Sequence, residues 1–235
     1  MKILGFDSAG KAAGAAVWDD GTILYEANLR AGLTHSQTLL SLCEQALSQT
    51  QLRLSDIDFM ALNLGPGSFT GLRIGLASAK GLCFADDISC IGVSTLESLA
   101  YALPVEGNVL CALDARRKEV YAAGFRCTSG GVFRLSEDKA APVEALRPVL
   151  EQMEGPIYLM GDGAHSVYEQ FAKEFPVCDP HLLSGQGTAA GVCMCAASHA
   201  AQALDAEILT PDYLRLSQAQ RERAERLAAQ QQANR

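Results

Sequence analysis

The chain has 235 residues, 49% of them hydrophobic, and a formal net charge of −8. That length holds two domains of about 100 residues each with ample core, and the acidic balance argues against this chain alone gripping a long nucleic acid, whose phosphates are held mainly by clustered Lys and Arg. Apolar runs stop well short of the ~20 residues of a membrane span, and the start Met1-Lys2-Ile3-Leu4 lacks a signal-peptide core, so a cytoplasmic protein without membrane attachment is expected.

In chain order, residues 2–7 read as a buried strand ending in Asp7. Gly14 to Trp18, the Asp20-Gly21 turn and Thr22 to Asn28 complete a three-strand meander. Thr34-His35-Ser36-Gln37 has capping-box spacing and opens a helix over 35–49 that carries Leu39, Leu40, Leu42, Cys43, Ala46 and Leu47. A strand at 58–64 then runs through Gly65-Pro66-Gly67 into a helix over 71–85. This turn fails the spacing of a Walker loop, and Thr70 stands where a dinucleotide fingerprint needs its third glycine. A strand-turn-helix junction is the expected reading.

The 71–85 helix is apolar or small nearly all round, with Arg73, Ser78 and Lys80 its only polar residues. Such a helix needs cover on most sides, and Gly71, Gly75 and Gly81 each cost about 1 kcal/mol against alanine unless close packing offsets it. Core on one face and a partner on the other is the expectation. Leu72, Leu76, Ala79 and Cys83 share one stripe and, with Lys80 and with Leu39, Leu42 and Cys43 of the preceding helix, are the candidate partner contacts.

A strand at 88–93 leads to a second capping-box pattern, Ser94-x-x-Glu97, whose helix Pro104 stops. The order then restarts. Val109 to Asp114 repeats the pattern of Ile3 to Asp7, strand-like residues run from Glu119 to Arg126, a third strand begins at Val132, and residues 156–163 echo 60–67 before a helix from Ala164 to Phe175. The alanine-rich helix at 189–204 should bury itself between or across the domains. The expected division is residues 1–104, residues 105–215, and a polar Gln/Arg-rich tail at 216–235 that is frayed or disordered.

Eight cysteines without a Cys-x-x-Cys pair, four of them (Cys43, Cys83, Cys193 and Cys195) in helix-like apolar segments, point to reduced core thiols. The histidines His35, His165, His181 and His199 show no metal spacing among themselves and read as surface or capping groups.

Paired βββαβαβα units, each opening on a strand that ends in Asp, resemble the actin, sugar-kinase and Hsp70 superfamily. Within it, residues 65–75 (Gly-Pro-Gly-Ser-Phe-Thr-Gly-Leu-Arg-Ile-Gly), 114–121 (Asp-Ala-Arg-Arg-Lys-Glu-Val-Tyr) and 211–215 (Pro-Asp-Tyr-Leu-Arg) closely resemble the TsaB, or YeaZ, family over residues 1 to about 215. The resemblance implies an α/β fold of two tandem actin/ribonuclease-H-like domains. It also implies a non-catalytic subunit of the bacterial machinery that adds threonylcarbamoyl to the adenosine following the anticodon in tRNAs reading ANN codons. The implied partners are the catalytic paralogue TsaD, met through the 35–49 and 71–85 helices, and the ATPase TsaE. The isolated chain is expected to form a homodimer and to meet tRNA only through the complex, with no cofactor of its own.

The catalytic paralogue of that family binds metal through two histidines four apart; the matching positions here are Thr95 and Leu99, neither a useful metal ligand. Asp7, Ser8 and Gly10 stand as the remnant of a nucleotide site, with a strand-ending turn as the alternative, and Arg116-Arg117-Lys118 crowd the equivalent approach after Asp114. Two other functions stay open on sequence: an autonomous ATP-dependent phosphotransferase, and a glycoprotease-type metallopeptidase, which the absent histidine pair disfavours.

Overall fold

The computed structural model describes residues 1–30, 32–180 and 189–215. The expected tail at 216–235 and His181 lie outside the described residues.

The first sheet has the order β3-β2-β1-β4-β5. Strands β1 (Lys2–Asp7), β2 (Ala13–Asp19) and β3 (Thr22–Leu29) form the antiparallel meander, and β4 (Phe59–Gly65) and β5 (Ser89–Ser94) add in parallel beside β1. Side chains alternate across a strand, so Leu4 and Phe6 of β1 face one core while Ile3 faces another. The first core is closed by helices α1 (His35–Thr50) and α2 (Phe69–Asp86). The capping box of α1 forms as its sequence predicts, and Ser68 caps α2 by accepting from the Gly71 amide.

The second sheet runs β10-β6-β7-β8, with β9 also on β7. Its strands are β6 (Gly107–Asp114), β7 (Glu119–Thr128), β8 (Gly131–Arg134), β9 (Lys139–Pro142) and β10 (Ile157–Met160). The third strand expected from Val132 is therefore two short pieces that share β7, β8 at one end and β9 at the other. Helices α4 (Arg147–Leu150) and α5 (Ala164–Phe171) cover its outer face; α5 ends four residues before the expected Phe175.

Two helices fill the space between the sheets, and each has crossed over. Helix α3 (Thr95–Tyr101), which leaves the first sheet, packs Leu96, Leu99 and Ala100 against Val109, Cys111 and Phe125 of the second. Helix α6 (Ala189–Ser198), which follows the second sheet, packs Val192, Cys193 and Cys195 against Ile3, Ala16 and Ile91 of the first. The alanine-rich composition of α6 fits this place, because small side chains on every face let it lie close to a sheet and to α3 at once. By packing, residues 189–209 go with the first sheet and not with the remainder of the 105–215 segment.

All eight cysteines are free, and seven are buried. Burial pushes the thiols of Cys43 and Cys193 up to about 12 and that of Cys127 to about 11, so they behave as small apolar groups. Among the described residues no helix is long and apolar enough to cross a membrane.

Candidate functional site: the interdomain cleft and the outer helix face

The C-terminal ends of β1 and β6, with their following turns, open onto a cleft of ≈ 790 Å³ between the sheets. Asp7, Gly10 and Lys11 line one wall, Asp114, Arg116 and Asp162 the other, and Asp212 to Arg215 the mouth. Lys11 Nζ reaches across to Asp162 Oδ2 at 3.6 Å.

Of the three residues expected as a nucleotide remnant, Asp7 and Gly10 line this cleft and Ser8 does not. Ser8 is buried and its Oγ donates to the Gly71 carbonyl at 2.9 Å, so it docks α2 onto β1. Asp7 is buried as well. Its Oδ1 accepts from the Ala9 amide at 2.8 Å and from Asn63 Nδ2 at 3.0 Å, and desolvation outweighs both bonds and raises its pKa. Gly10 gives its carbonyl to the His35 ring, whose Nε2 lies 2.9 Å away.

At the Gly65-Pro66-Gly67 turn two of the backbone donors that an anion site at a helix N-terminus would use are engaged within the chain, as in a strand-turn-helix junction. The Ser68 amide donates to the Ala9 carbonyl at 2.7 Å, and the Gly71 amide donates to Ser68 Oγ at 3.2 Å. The backbone of Asp212 lies against Gly65, with its amide donating to the Leu64 carbonyl at 2.7 Å, and Gly65 holds a φ of +138°, which only glycine adopts freely.

The residues closing the mouth form a strap. Tyr213 stacks on Phe69 with ring centroids 4.3 Å apart, and Arg73 lies over Phe69 while its Nε donates to the Tyr213 hydroxyl at 3.0 Å. Arg215 donates to the Ala115 carbonyl at 2.9 Å and pairs with Glu119, tying the strap to the turn between β6 and β7. In that turn Arg116, Arg117 and Lys118 all have positive φ, 62°, 56° and 64°. For residues with a Cβ this conformation costs roughly 1–2 kcal/mol each. Nothing in the spacing of Asp114 to Glu119 signals it, because the sequence places no glycine where the backbone needs one.

A second polar cluster lies between α3, α6 and β8. Glu97 accepts from Arg134 Nη2 at 2.8 Å and lies 2.7 Å from His199 Nε2. Burial pushes the Glu97 carboxyl up, but hydrogen bonds from Arg134 and His199 outweigh it and hold the group below its usual range. Cys195 joins Glu97 and His199 with donor atoms within 4.8 Å of one another. The Arg134 guanidinium, on Glu97 and Asp138 together, already supplies a cation there, so the cluster reads as a latch joining the units. Of the other described histidines, His165 lies 3.2 Å from Glu169 on the surface. Thr95 and Leu99 are both buried in the chain's own packing.

The candidate partner contacts need correction. Leu39, Leu42, Cys43, Leu72, Leu76, Ala79 and Cys83 are all buried within this chain. The stripe Leu72-Leu76-Ala79-Cys83 exists, but it points inward, and Ala206 and Leu209 of the returning C-terminal segment pack into the same core. Lys80 is held too, its Nζ donating to the Glu207 carbonyl at 2.9 Å. What α2 turns to solvent, among its described side chains, is Thr70, Arg73, Ala77, Gly81, Phe84 and Asp86. Phe84 is 84% exposed, and Ile208 (63%) and Leu40 of α1 (50%) are the other large apolar side chains open on these elements. A Cβ added at Gly81 would meet nothing within 4 Å. The near absence of a polar face on α2 hid which of its two apolar faces was the core.

Two sheets of this topology, joined by crossed-over helices and cleft at the ends of β1 and β6, define a two-domain actin-like protein. The fold is shared with the ethanolamine utilization protein EutJ of Carboxydothermus hydrogenoformans, at a TM-score of 0.50 and 13% identity over 83% of this chain and 90% of that one. Residues 30–221 match the family model described as TsaD, tRNA N6-adenosine threonylcarbamoyltransferase. The chain is 35% identical over 167 residues to the tRNA threonylcarbamoyladenosine biosynthesis protein TsaB of Escherichia coli, covering 69% of this chain and 72% of that protein. Against the Bacillus subtilis protein of the same name the identity is 26% over 94% of this chain and 96% of the other. The solved structure of YeaZ from Pseudomonas aeruginosa superposes with a TM-score of 0.78 at 27% identity, covering 91% of this chain and 99% of that one. The chain belongs to the TsaB (YeaZ) family.

Proposed function

We propose that this chain is a non-catalytic subunit of the machinery that makes threonylcarbamoyladenosine in tRNA, and that it binds and activates a catalytic paralogue of the TsaD type. Family membership supports a role in that synthesis. The observation that carries the subunit reading lies on the outer face of α1 and α2, where Phe84 and Leu40 are large exposed apolar side chains on an otherwise polar surface and the small Ala77 and Gly81 share the face of Phe84. Small residues beside an exposed aromatic let a partner helix approach closely, and the aromatic gives it apolar surface to bury. In this reading the unit of residues 1–104, with 189–209 packed on its sheet, carries the contact helices, and the remainder of 105–215 shapes the cleft beside them. The same face pairs with a second copy when the paralogue is absent. The ATPase TsaE joins the assembled complex, and tRNA is reached through that complex.

Light scattering of this chain mixed with its TsaD-type paralogue tests the reading. A heterodimer that forms with the unsubstituted chain and is lost with Gly81→Arg supports it. A heterodimer indifferent to that substitution, in a variant that melts normally, contradicts it.

A further inference from the structure

We propose that the left-handed turn Arg116-Arg117-Lys118, with Lys11 and Arg30 of the facing wall, contacts the phosphate backbone of RNA. The inference rests on the proposed role in tRNA modification and deepens it, since it gives a nominally passive subunit its own contact with the substrate.

Three observations carry it. First, the turn puts three cations on three successive residues, all exposed, in a chain whose net charge is −8. Like charges so close repel one another, and each sits in a backbone conformation that glycine would adopt without strain. Strain persists where the surroundings over-determine it, and it gathers at working sites.

Second, the turn is braced from behind. Asp114 Oδ1 accepts from the Arg116 amide at 2.7 Å, the Glu119 amide donates to the Arg116 carbonyl at 3.1 Å, and the Ala115 amide donates to the Glu119 carbonyl at 3.0 Å. Arg215 of the strap holds both the Ala115 carbonyl and Glu119. The backbone is held in place and all three residues are exposed.

Third, most of the acids nearby are already committed. Asp162 gives Oδ1 to the Asp114 amide and Oδ2 to Lys11, Glu119 is paired with Arg215, and Asp7 is buried with a raised pKa. Asp114 and Asp212 are the other exposed acids of the described cleft lining, and Asp114 Oδ1 is taken up by the Arg116 amide. Arg30, Lys11 and Arg116 line the same cleft, which also receives Phe69 and Thr70 at the start of α2. The cationic rim thus borders the face proposed for the paralogue, so an RNA held by the paralogue could continue across it. In a chain of net charge −8 this rim is a local concentration of positive charge.

The test uses the complex of this chain with its TsaD-type partner and a fluorescently labelled tRNA, titrated at several salt concentrations between 50 and 200 mM. Arg116→Gln combined with Lys118→Gln should weaken tRNA binding about tenfold and reduce the slope of log K against log salt by about 2, one per lost phosphate contact. Partner association in light scattering should not change. Lys118→Gly should raise the melting temperature, because it relieves the left-handed strain, while still weakening tRNA binding. Variants that bind tRNA with unchanged affinity and salt slope overturn the inference. So does a loss of partner association with tRNA affinity retained, which would mean that the cations read an acidic protein surface. Failure of the unsubstituted chain to associate with the TsaD-type protein would instead strike the subunit reading itself, and the inference with it.

Discussion

Asn63 Nδ2 donates to Asp7 Oδ1 at 3.0 Å, and the other amide atom of Asn63, Oδ1, is a buried acceptor without a partner among the described residues. The pair sits at the ends of β1 and β4, where a carboxylate is held in a place that disfavours its charge.

From this follows a pH dependence. Burial raises the pKa of Asp7 in the folded chain, so between the unfolded and folded values the native state holds the extra proton. Stability from this group is therefore greatest at low pH and falls as pH rises through the folded pKa. At pH 7 Asp7→Asn should melt at the same or a higher temperature, because it removes the buried charge, and its amide can meet the orphaned acceptor of Asn63 once that side chain flips. The advantage should shrink as pH falls toward 4. Scanning calorimetry at a series of pH values checks this, and a drop of several degrees at pH 7 would refute it.

Glu97 has the opposite sign. Its carboxyl is held low by Arg134 and His199 against the push of burial, so its contribution is present above about pH 4.5, the ordinary value, and is lost as pH falls through the lower folded one. Glu97→Gln should cost about 2–3 kcal/mol at pH 7, somewhat less than a fully buried pair, because Arg134 keeps Asp138. Urea melts of the two proteins should converge in acid, whereas a gap that stays constant with pH would mean that the latch is not ionic.

The glycines of α2 divide by what surrounds them. A Cβ at Gly71 would collide with the Ser8 carbonyl, a backbone atom that cannot move aside, so Gly71→Ala should cost about 3 kcal/mol of stability. Gly81 has open space, and Gly81→Ala should stabilise the isolated chain by about 1 kcal/mol while weakening association with a partner that uses the close approach. Equal effects of the two substitutions on melting would show that α2 does not face inward through Gly71.

The outward residues should separate folding from binding. Leu76→Glu would place a carboxylate in this chain's own core and unfold it, so it says nothing about partners. Phe84→Ala removes about 2–3 kcal/mol of apolar burial in a complex, a roughly fiftyfold weaker association, and should leave circular dichroism and melting unchanged. A fully active Phe84→Ala at limiting protein concentration would exclude α2 as the contact.

Much of the fold was legible, and the reason is local. The meander, the capping box at Thr34 and the Asp-ending strands Ile3 to Asp7 and Val109 to Asp114 are written in short-range chemistry, and each forms. Less was legible wherever distant segments decide. Helix α2 has two apolar faces, and only the return of Ala206 and Leu209 settles which one is buried. Ser8 read as a phosphate-loop residue because its bond to Gly71, 63 positions away, has no trace in its neighbours. The strap of Tyr213 and Arg215 was visible as a pattern at 211–215, but its stacking on Phe69 and its hold on the Arg116 turn are tertiary facts.

The central claim is that this chain activates a catalytic paralogue without performing the chemistry. The direct measurement is threonylcarbamoyladenosine formed on tRNA in a reconstituted mixture, with the TsaD-type protein, the TsaE-type ATPase and the activated threonylcarbamoyl donor all present and this chain added or withheld. Product should appear only when this chain is added, survive Asp7→Asn, and fall with Phe84→Ala until protein is raised well above the working concentration. Undiminished product without this chain, or product from this chain with the TsaD-type protein withheld, would contradict the account.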